Sequence, residues 1–417
     1  MITLEQILQV REERVQLQKQ LLTEHACPLV CFTMNIAGPV KTSPLIEWGF
    51  RFGLDTLTTV LPVRHCLTRF LPTGYEAYLS VQIPADQAKS ICVGIEEATP
   101  LGRLFDMDVL DADGRKLERE TERGCLVCGK PGRYCAASRA HSVEQLQHTT
   151  QQILAGELAV QSLLEEAITT PKPGLVDRNN NGSHKDMSLQ TFIASANALR
   201  PYFTRCVAIG QKTAGLAETF LSLQQAGIQA EKAMLEATNG VNTHKGAIFT
   251  LGILCGCIGR CKSYDANTLC AEAAQMGNIA DQDLALAKGA TAGERLYLQK
   301  NLRGIRGEVA DGLPSVITIG LPMLRNAQNL TQEHAAACAL LYLIAHVEDT
   351  NLYHRGGEEG AAFAKRSVQA LLAKNSFPSK EEIEALDQLF IQKNLSPGGC
   401  ADLLAATLFL EHIQKKR

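Results

Sequence analysis

No apolar run in this chain of 417 residues is long enough to cross a bilayer. The most hydrophobic stretch, Ala247 to Ile258, lies between Lys245 and Arg260 and falls short of the roughly 18 to 20 residues that a membrane helix needs. Charge of one sign is not in excess either. A formal net charge of -3 gives no general pull towards nucleic acid or an anionic membrane, so any anionic ligand must be held by a local pocket. The opening segment, MITLEQILQVREERVQLQKQLL, lacks the basic tip and apolar run of a secretory signal, and a cytoplasmic protein is expected. Fourteen cysteines are too dilute and too irregularly spaced for a disulfide scaffold. Several of them (Cys255, Cys257, Cys270, Cys338) fall in apolar helical sequence, where a small reduced thiol packs well. Internal repeats and low-complexity linkers are also missing.

What is present divides into two textures, and the length favours two or three domains. Up to about residue 145 helix and strand mix. An amphipathic helix opens the chain, and extended runs follow at Thr56 to Val63 and Ala77 to Ile83. Asp86 to Glu97 sets Ala88, Ile91, Cys92 and Ile95 at helical spacing between Pro84 and Pro100. Arg103 to Leu110 alternates like a strand, and Asp113-Gly114 offers the turn of a β-hairpin into RKLE. Beyond about residue 146 the pattern is helical, with segments near 187 to 223, 228 to 237, 246 to 259, 265 to 287, 333 to 348, 358 to 374, 380 to 393 and 399 to 413. The expected architecture is therefore an α+β domain over residues 1–148 followed by a larger all-α helical domain over 149–417, with the boundary between about 140 and 155.

Nearly all the unusual residues of the second half lie in the breaks between its helices. The first, TPKPGLVDRNNNGSHKDM (Thr170 to Met187), stops a helix with Pro171 and Pro173 and permits an unusual backbone at Gly174. Its Lys172, Asp177, His184 and Asp186 could hold a cation or grip phosphates and hydroxyls. A solvated loop would have much the same composition. His244 and Lys245 lie at the start of an apolar helix, where free N–H groups favour phosphate; an ordinary exposed helix start reads the same way. Arg306, Glu308 and Asp311 sit in RGIRGEVADG, and Asp349, Asn351, His354 and Arg355 precede Gly356-Gly357. The last break places Gly398-Gly399 before a helix with Asp402 one turn in.

In the first half Asp106 and Asp108 are two apart on the expected strand and so share a face, as a metal-dependent nucleotidyl transferase presents its acids to Mg²⁺. Exposed strands often carry alternating acids without function. Cys125, Cys128, Cys135 and His141 form C-x2-C-x6-C-x5-H, a ligand set suited to structural Zn²⁺, against the alternative of reduced thiols in a Gly-rich turn.

Resemblance adds to these readings. GRLFDMDV (Gly102 to Val109), MNIAGPVK (Met34 to Lys41), the R-E-x-R of the opening helix (Arg11 to Arg14) and CLVCGKPGRYCAASRAHS (Cys125 to Ser142) resemble the citrate lyase holo-acyl-carrier-protein synthase family. That resemblance implies an N-terminal nucleotidyltransferase-like domain that transfers phosphoribosyl-dephospho-coenzyme A to a serine of the apo acyl-carrier subunit of citrate lyase, releasing pyrophosphate. Asp106 and Asp108 would be its metal-binding acids and Arg103 and Lys41 its phosphate contacts. TPKPGLVDRNNNGSHKDM, GVNTHKGAIF, RGIRGEVADG, HVEDTNLYHRGG and NLSPGGCADLLAAT occur in order and resemble the triphosphoribosyl-dephospho-coenzyme A synthase family. That implies attachment of the ribose triphosphate of ATP to 3′-dephospho-coenzyme A with loss of adenine. Asp177, Asp186 and Asp349 would then serve Mg²⁺ or activate the hydroxyl, with Asp186 and Asp349 as its ligands, and His184 would be an acid or base. Lys172, Lys245, Arg306 and Arg355 would grip phosphates, with Gly174, His244, Glu308, Asn351, His354, Gly356, Gly357, Gly398, Gly399 and Asp402 completing the binding site. Two other classes fit the same residues: a metal-dependent N-ribosyl hydrolase, and a non-catalytic adaptor for lyase assembly.

Overall fold

The computed structural model describes residues 4–213, 215–261, 263–285, 292–327 and 329–414. The chain forms two compact units, Met1–Leu154 and Ala155–Arg417.

The first unit is built on a four-stranded antiparallel sheet. Its elements are α1 (Leu4–His25), β1 (Leu29–Met34), α2 (Pro44–Val60), β2 (Val63–Leu71), β3 (Gly74–Val81), α3 (Ala85–Ala98), β4 (Phe105–Leu110) and α4 (Gly132–Ser138). The strand order is β2-β3-β1-β4, which leaves β4 at an edge. Alternation along β4 buries Phe105, Met107 and Val109 and turns Asp106 and Asp108 to the other face. On that face the register sets Asp106 opposite Thr33 and Asp108 opposite Cys31. Leu21 of α1 packs there on Leu29, Cys31, Tyr78 and Leu110.

Two local expectations change. Thr56 to Val60 closes α2 rather than forming a strand. Ser43 caps that helix, Phe50, Gly53 and Leu57 form its buried stripe, and the hydroxyls of Thr56 and Thr59 bond back to Phe52 O and Asp55 O, which satisfies β-branched residues inside a helix. The turn after β4 forms, with Gly114 at φ 82°, but its return arm is reduced to the bridge between Leu110 and Lys116.

Among the described residues the second unit contains helices joined by loops and no strand. The division between the units falls inside α5 (Val143–Ile168). Then follow α6 (Leu189–Ala198), α7 (Arg200–Lys212), α8 (Leu216–Ala237), α9 (Lys245–Arg260), α10 (Ala266–Ala285), α11 (Ala292–Lys300), α12 (Gly304–Ala310), α13 (Leu321–Asn326), α14 (Gln332–His346), α15 (Thr350–Lys374), α16 (Lys380–Gln392) and α17 (Gly398–Gln414). The middles of α9, α14 and α17 are buried on all sides, so these apolar helices form the centre and amphipathic helices surround them. Each fully buried Leu on them contributes about 1.5 to 3 kcal/mol of transfer free energy.

The segment expected at 187 to 223 divides where Pro201 starts α7 and again before Gly215, and α8 runs on through the expected break to Ala237. Residues 286 and 287 of the segment expected at 265 to 287 lie outside the described residues. Two expected breaks are helical: RGIRGEVADG contains α12, and TNLYHRGG is the first part of α15. The double glycine there marks a kink, with Gly357 at φ 62°, instead of an end.

Candidate active sites

In the first unit the paired acids stand on an open strand. Lys116 Nζ lies 2.6 Å from Asp108 Oδ2, and Arg123 Nη1 lies 3.9 Å from Asp106 Oδ1. Partial desolvation, then the nearby Asp108 charge, pushes the Asp106 carboxyl above its ordinary range. A cation between the two acids would reverse that second effect. The free edge of β4 is covered from α3: Glu96 accepts the Met107 N–H at 2.9 Å and Lys89 donates to Met107 O at 3.3 Å. Glu96 is buried, and it also holds Arg119 at 2.5 Å and Arg123 at 3.4 Å.

Of the phosphate contacts expected here, Arg103 donates to Gly124 O and Lys41 to Ile36 O. The sequence reading missed Glu96, Lys116, Arg119 and Arg123. A signal for Glu96 existed: it continues the stripe Ala88, Cys92, Glu96 on the buried face of α3, where an unpaired acid would be costly.

In the second unit a cleft of about 720 Å³ collects four of the five motifs. Lys245 and Gly246 line it from α9, residues 303–308 from α12 and its approach, Asp349, Thr350 and Asn351 from the start of α15, and Gly399 and Asp402 from α17. Asp349 caps α15 by accepting the N–H groups of Asn351 at 2.7 Å and Leu352 at 3.3 Å, and its other oxygen accepts the Cys400 N–H at 2.8 Å. One carboxylate thus ties the starts of two helices. Asp402 accepts from the Ala247 N–H at the start of α9. Gly246 is required there, since a Cβ would stand 1.9 Å from Asp402 Oδ2.

Burial raises the carboxyls of Asp349 and Glu308, and burial with the charges of Glu166 and Asp349 raises that of Asp402 well above normal. Asp349, Glu308 and Asp402 all act electrostatically on the Cys400 thiol, so they are close neighbours. This crowd of oxygen donors fits a hard divalent cation such as Mg²⁺. Lys245, Arg303 and Arg306, with the first turns of α9, α15 and α17, add positive potential suited to phosphate.

The Thr170 to Met187 run does not line this cleft. Asp177 organises the loop itself, accepting from the N–H groups of Lys172 at 3.0 Å, Asn179 at 2.7 Å and Asn180 at 3.1 Å. Gly174, at φ 70°, donates to Asp387, and a Cβ would meet Leu395 O at 2.1 Å. Lys172 is buried with its Nζ 2.6 Å from Glu166 Oε1, so its charge is paired internally. His184 bonds to Ser396 Oγ at 2.9 Å and to Arg355 Nη2 at 3.0 Å. Desolvation, then the Arg355 charge, lowers it to about 4, which keeps the ring neutral near pH 7. Asp186 and His354 are exposed. Gly356 packs on Leu395, and Gly398 on Asn351.

His244 is no exposed helix start. It is buried, its Nδ1 bonds to Ser195 Oγ at 2.6 Å, and burial followed by the Lys172 charge lowers it to about 3. Glu166 raises the Asp402 carboxyl from within the core, Lys172 is paired with Glu166, and the Lys172 charge acts on His244. The sequence reading missed Glu231, Asn242, Arg303, His346 and Glu348 as lining residues and Glu166 as the partner of Lys172.

Comparison with known proteins gives these two sites a context. A family model described as apo-citrate lyase phosphoribosyl-dephospho-CoA transferase matches residues 2–156, and one described as ATP:dephospho-CoA triphosphoribosyl transferase matches residues 152–417. The chain is 37% identical to Protein CitXG of Haemophilus influenzae, with 98% of this chain and 96% of that protein covered. It is 34% identical to Protein CitXG of Leuconostoc mesenteroides, over 99% and 97%. It is also 39% identical to the 2-(5''-triphosphoribosyl)-3'-dephosphocoenzyme-A synthase of Haemophilus ducreyi, over 68% of this chain and 98% of that one. Two transferases are thus joined in one polypeptide, a bifunctional enzyme that makes and attaches the prosthetic group of citrate lyase. The chain belongs to the fused CitX and CitG family. Among the described residues no helix is long and apolar enough to cross a membrane.

Proposed function

We propose that the cleft of the second unit takes ATP and 3′-dephospho-coenzyme A, and that the edge strand of the first unit carries out transfer to the carrier. The observation that carries this reading is the convergence of four motifs, distant in sequence, on one cleft that holds both acids and cations. Lys245, Arg303 and Arg306 bind the triphosphate. Asp349, Glu308 and Asp402 hold Mg²⁺, which supplies charge neutralisation at the phosphates. The 2′-hydroxyl of dephospho-coenzyme A forms a bond to C1 of the ATP ribose as the bond from C1 to adenine breaks. The hydroxyl proton goes to one cleft carboxylate, and a second cleft carboxyl that carries a proton gives it to the departing adenine. Carboxylates near the sugar stabilise its oxocarbenium character.

In the first unit we read β4 as a nucleotidyltransferase-like element. Asp106 and Asp108 hold the metal, and Arg119, Arg123 and Lys116 face the phosphates. The carrier serine oxygen bonds to the α-phosphorus as its proton passes to solvent, the bond from that phosphorus to the oxygen bridging to the β-phosphate breaks, and pyrophosphate leaves. Domains of 1–148 and 149–417 perform the two steps. All fourteen cysteines are outside disulfides, which suits a reducing cytoplasm.

The test is to incubate the full chain with ATP, Mg²⁺ and 3′-dephospho-coenzyme A, with and without apo-carrier, following adenine by chromatography and carrier by mass. Adenine should appear only when dephospho-coenzyme A is present, and the carrier should gain the phosphoribosyl-dephospho-coenzyme A mass. Adenine release in the absence of dephospho-coenzyme A would establish a hydrolase and overturn the reading.

A further inference from the structure

Between β4 and α5 the chain runs for more than thirty residues with almost no core of its own: over 111–149, Cys135 alone is buried. Such a segment has too little apolar burial to offset its conformational entropy. Something else must hold it. Cys125, Cys128, Cys135 and His141 meet at its centre, with their ligand atoms all within 4.8 Å of one another. Cys128 Sγ lies 3.5 Å from Cys135 Sγ and 3.3 Å from His141 Nε2. Tetrahedral zinc with bonds of about 2.0 to 2.3 Å sets its ligand atoms roughly 3.5 to 3.8 Å apart.

The backbone is shaped to present these groups. Arg123 O accepts the Gly132 N–H at 2.9 Å and Cys125 O accepts the Gly129 N–H at 2.9 Å, so the first two thiols sit on a tight turn. Cys135 projects from α4, and the left-handed Arg139 ends that helix and swings His141 back to the turn. Three thiolates and an imidazole are soft and borderline donors, which select zinc over hard cations.

We infer that these four side chains bind one structural zinc ion, and that this ion positions the arginines of the transferase strand. The chain immediately before the first thiol is fastened to β4 and its approach. Arg103 donates to Gly124 O, while Arg123 donates to Phe105 O and reaches Glu96 and Asp106. Fixing Cys125 therefore fixes Arg123 beside Asp106. The metal turn thus positions Arg123, the residue that faces the phosphates.

Metal content and proteolysis read this without relying on either activity. Full-length protein purified in reducing buffer without chelator should carry close to one equivalent of zinc by plasma mass spectrometry. Trypsin should spare Arg119, Arg123, Arg133 and Arg139 in that protein, cut there after chelation, and spare them again after ZnCl₂ is restored. His141→Cys should keep the zinc, whereas His141→Ala should weaken it at least tenfold. With the chelated protein, carrier modification should fall while adenine release is unchanged once Mg²⁺ is resupplied. Less than a tenth of an equivalent both as purified and after ZnCl₂ addition would overturn the inference. So would stoichiometric iron, or a disulfide between Cys128 and Cys135 in the reduced preparation. Normal zinc with neither activity would instead fault the functional reading and leave the metal site standing.

Discussion

The acids of the two units meet solvent differently. Side-chain exposure is 52% for Asp106 and 34% for Asp108, whereas Asp349 is 2% exposed. The first pair stands on an edge strand that a bulky acceptor can approach, and its order is imposed from outside by Lys116, Arg123 and Glu96. The second group lies where helices begin, and helix N–H groups do the ordering. An open edge suits transfer to a protein serine, and a cleft suits two small molecules held against each other. Exposure tracks the size of the acceptor.

Crossed substitutions put the largest strain on that comparison. Asp106→Asn with Asp108→Asn should lower carrier modification by at least about a thousandfold and leave adenine release unchanged. Asp402→Asn should reverse the pattern, with adenine loss of similar size, because its carboxylate is isosteric and only charge is removed. Adenine and carrier mass measured on the same samples decide this. If either variant lost both activities while keeping its helical circular dichroism, separate sites would be untenable.

Glu96→Gln should have a smaller effect, roughly tenfold on carrier modification. The amide still meets the Met107 N–H but cannot hold Arg119 and Arg123 as a charge partner. A change in the Michaelis constant for the triphosphorylated intermediate, with little change in turnover, would identify those arginines as phosphate binders. Unchanged kinetics would show that Glu96 only seals the edge of β4.

Much of this was legible in the residues, and what was missed has physical causes. Asp106 and Asp108 share a face because strands have period two, and the Cys and His spacing marked four side chains that the fold brings together. The cleft could be named only in part. Sequence breaks reveal helix ends but not which ends meet, so the Thr170 to Met187 run carried the same signal as the segments that line the cleft. Its Pro, Gly and Asn residues serve a loop clamped on Asp387 and Leu395. Thr56 to Val60 misled because β-branched residues favour strands locally, while burial of Phe50 and Leu57 decides for helix.

A titration compares the loop with the cleft behind it. The fold holds His184 at about 4, below an unfolded value near 6.5, so its neutral ring contributes stability that is present above pH 6.5 and lost as pH falls towards 4. His184→Gln keeps a polar partner for Ser396 without that titration. The full shift corresponds to about 2 kcal/mol between pH 7.5 and 5, and because the ring is only partly buried, solvent screening lowers the expected loss of wild type relative to the variant to about 1 kcal/mol, read from urea midpoints by circular dichroism. Trp48, the chain's one tryptophan, lies in the first unit, and its fluorescence should show no such difference. An identical pH slope in both proteins would mean that the fold leaves the ring's protonation unchanged, and a difference of opposite sign would mean that the ring is bound through its cationic form.

The smallest expected effect is the most pointed. Asp186 is exposed and does not line the cleft, yet it belongs to the same polar run as Asp177 and His184, and it lies close enough to act on Arg355 and His184. If the run only clamps α16 and the start of α17, Asp186→Ala should alter adenine release by less than about threefold, as for most exposed charges without a buried partner. Steady-state rates at saturating ATP and dephospho-coenzyme A test this directly. A hundredfold loss of turnover with unchanged thermal stability would show that substrate binding recruits the run to the cleft. The cleft would then be completed by a segment that moves, and the contrast with the open edge of the first unit would change as substrate binds.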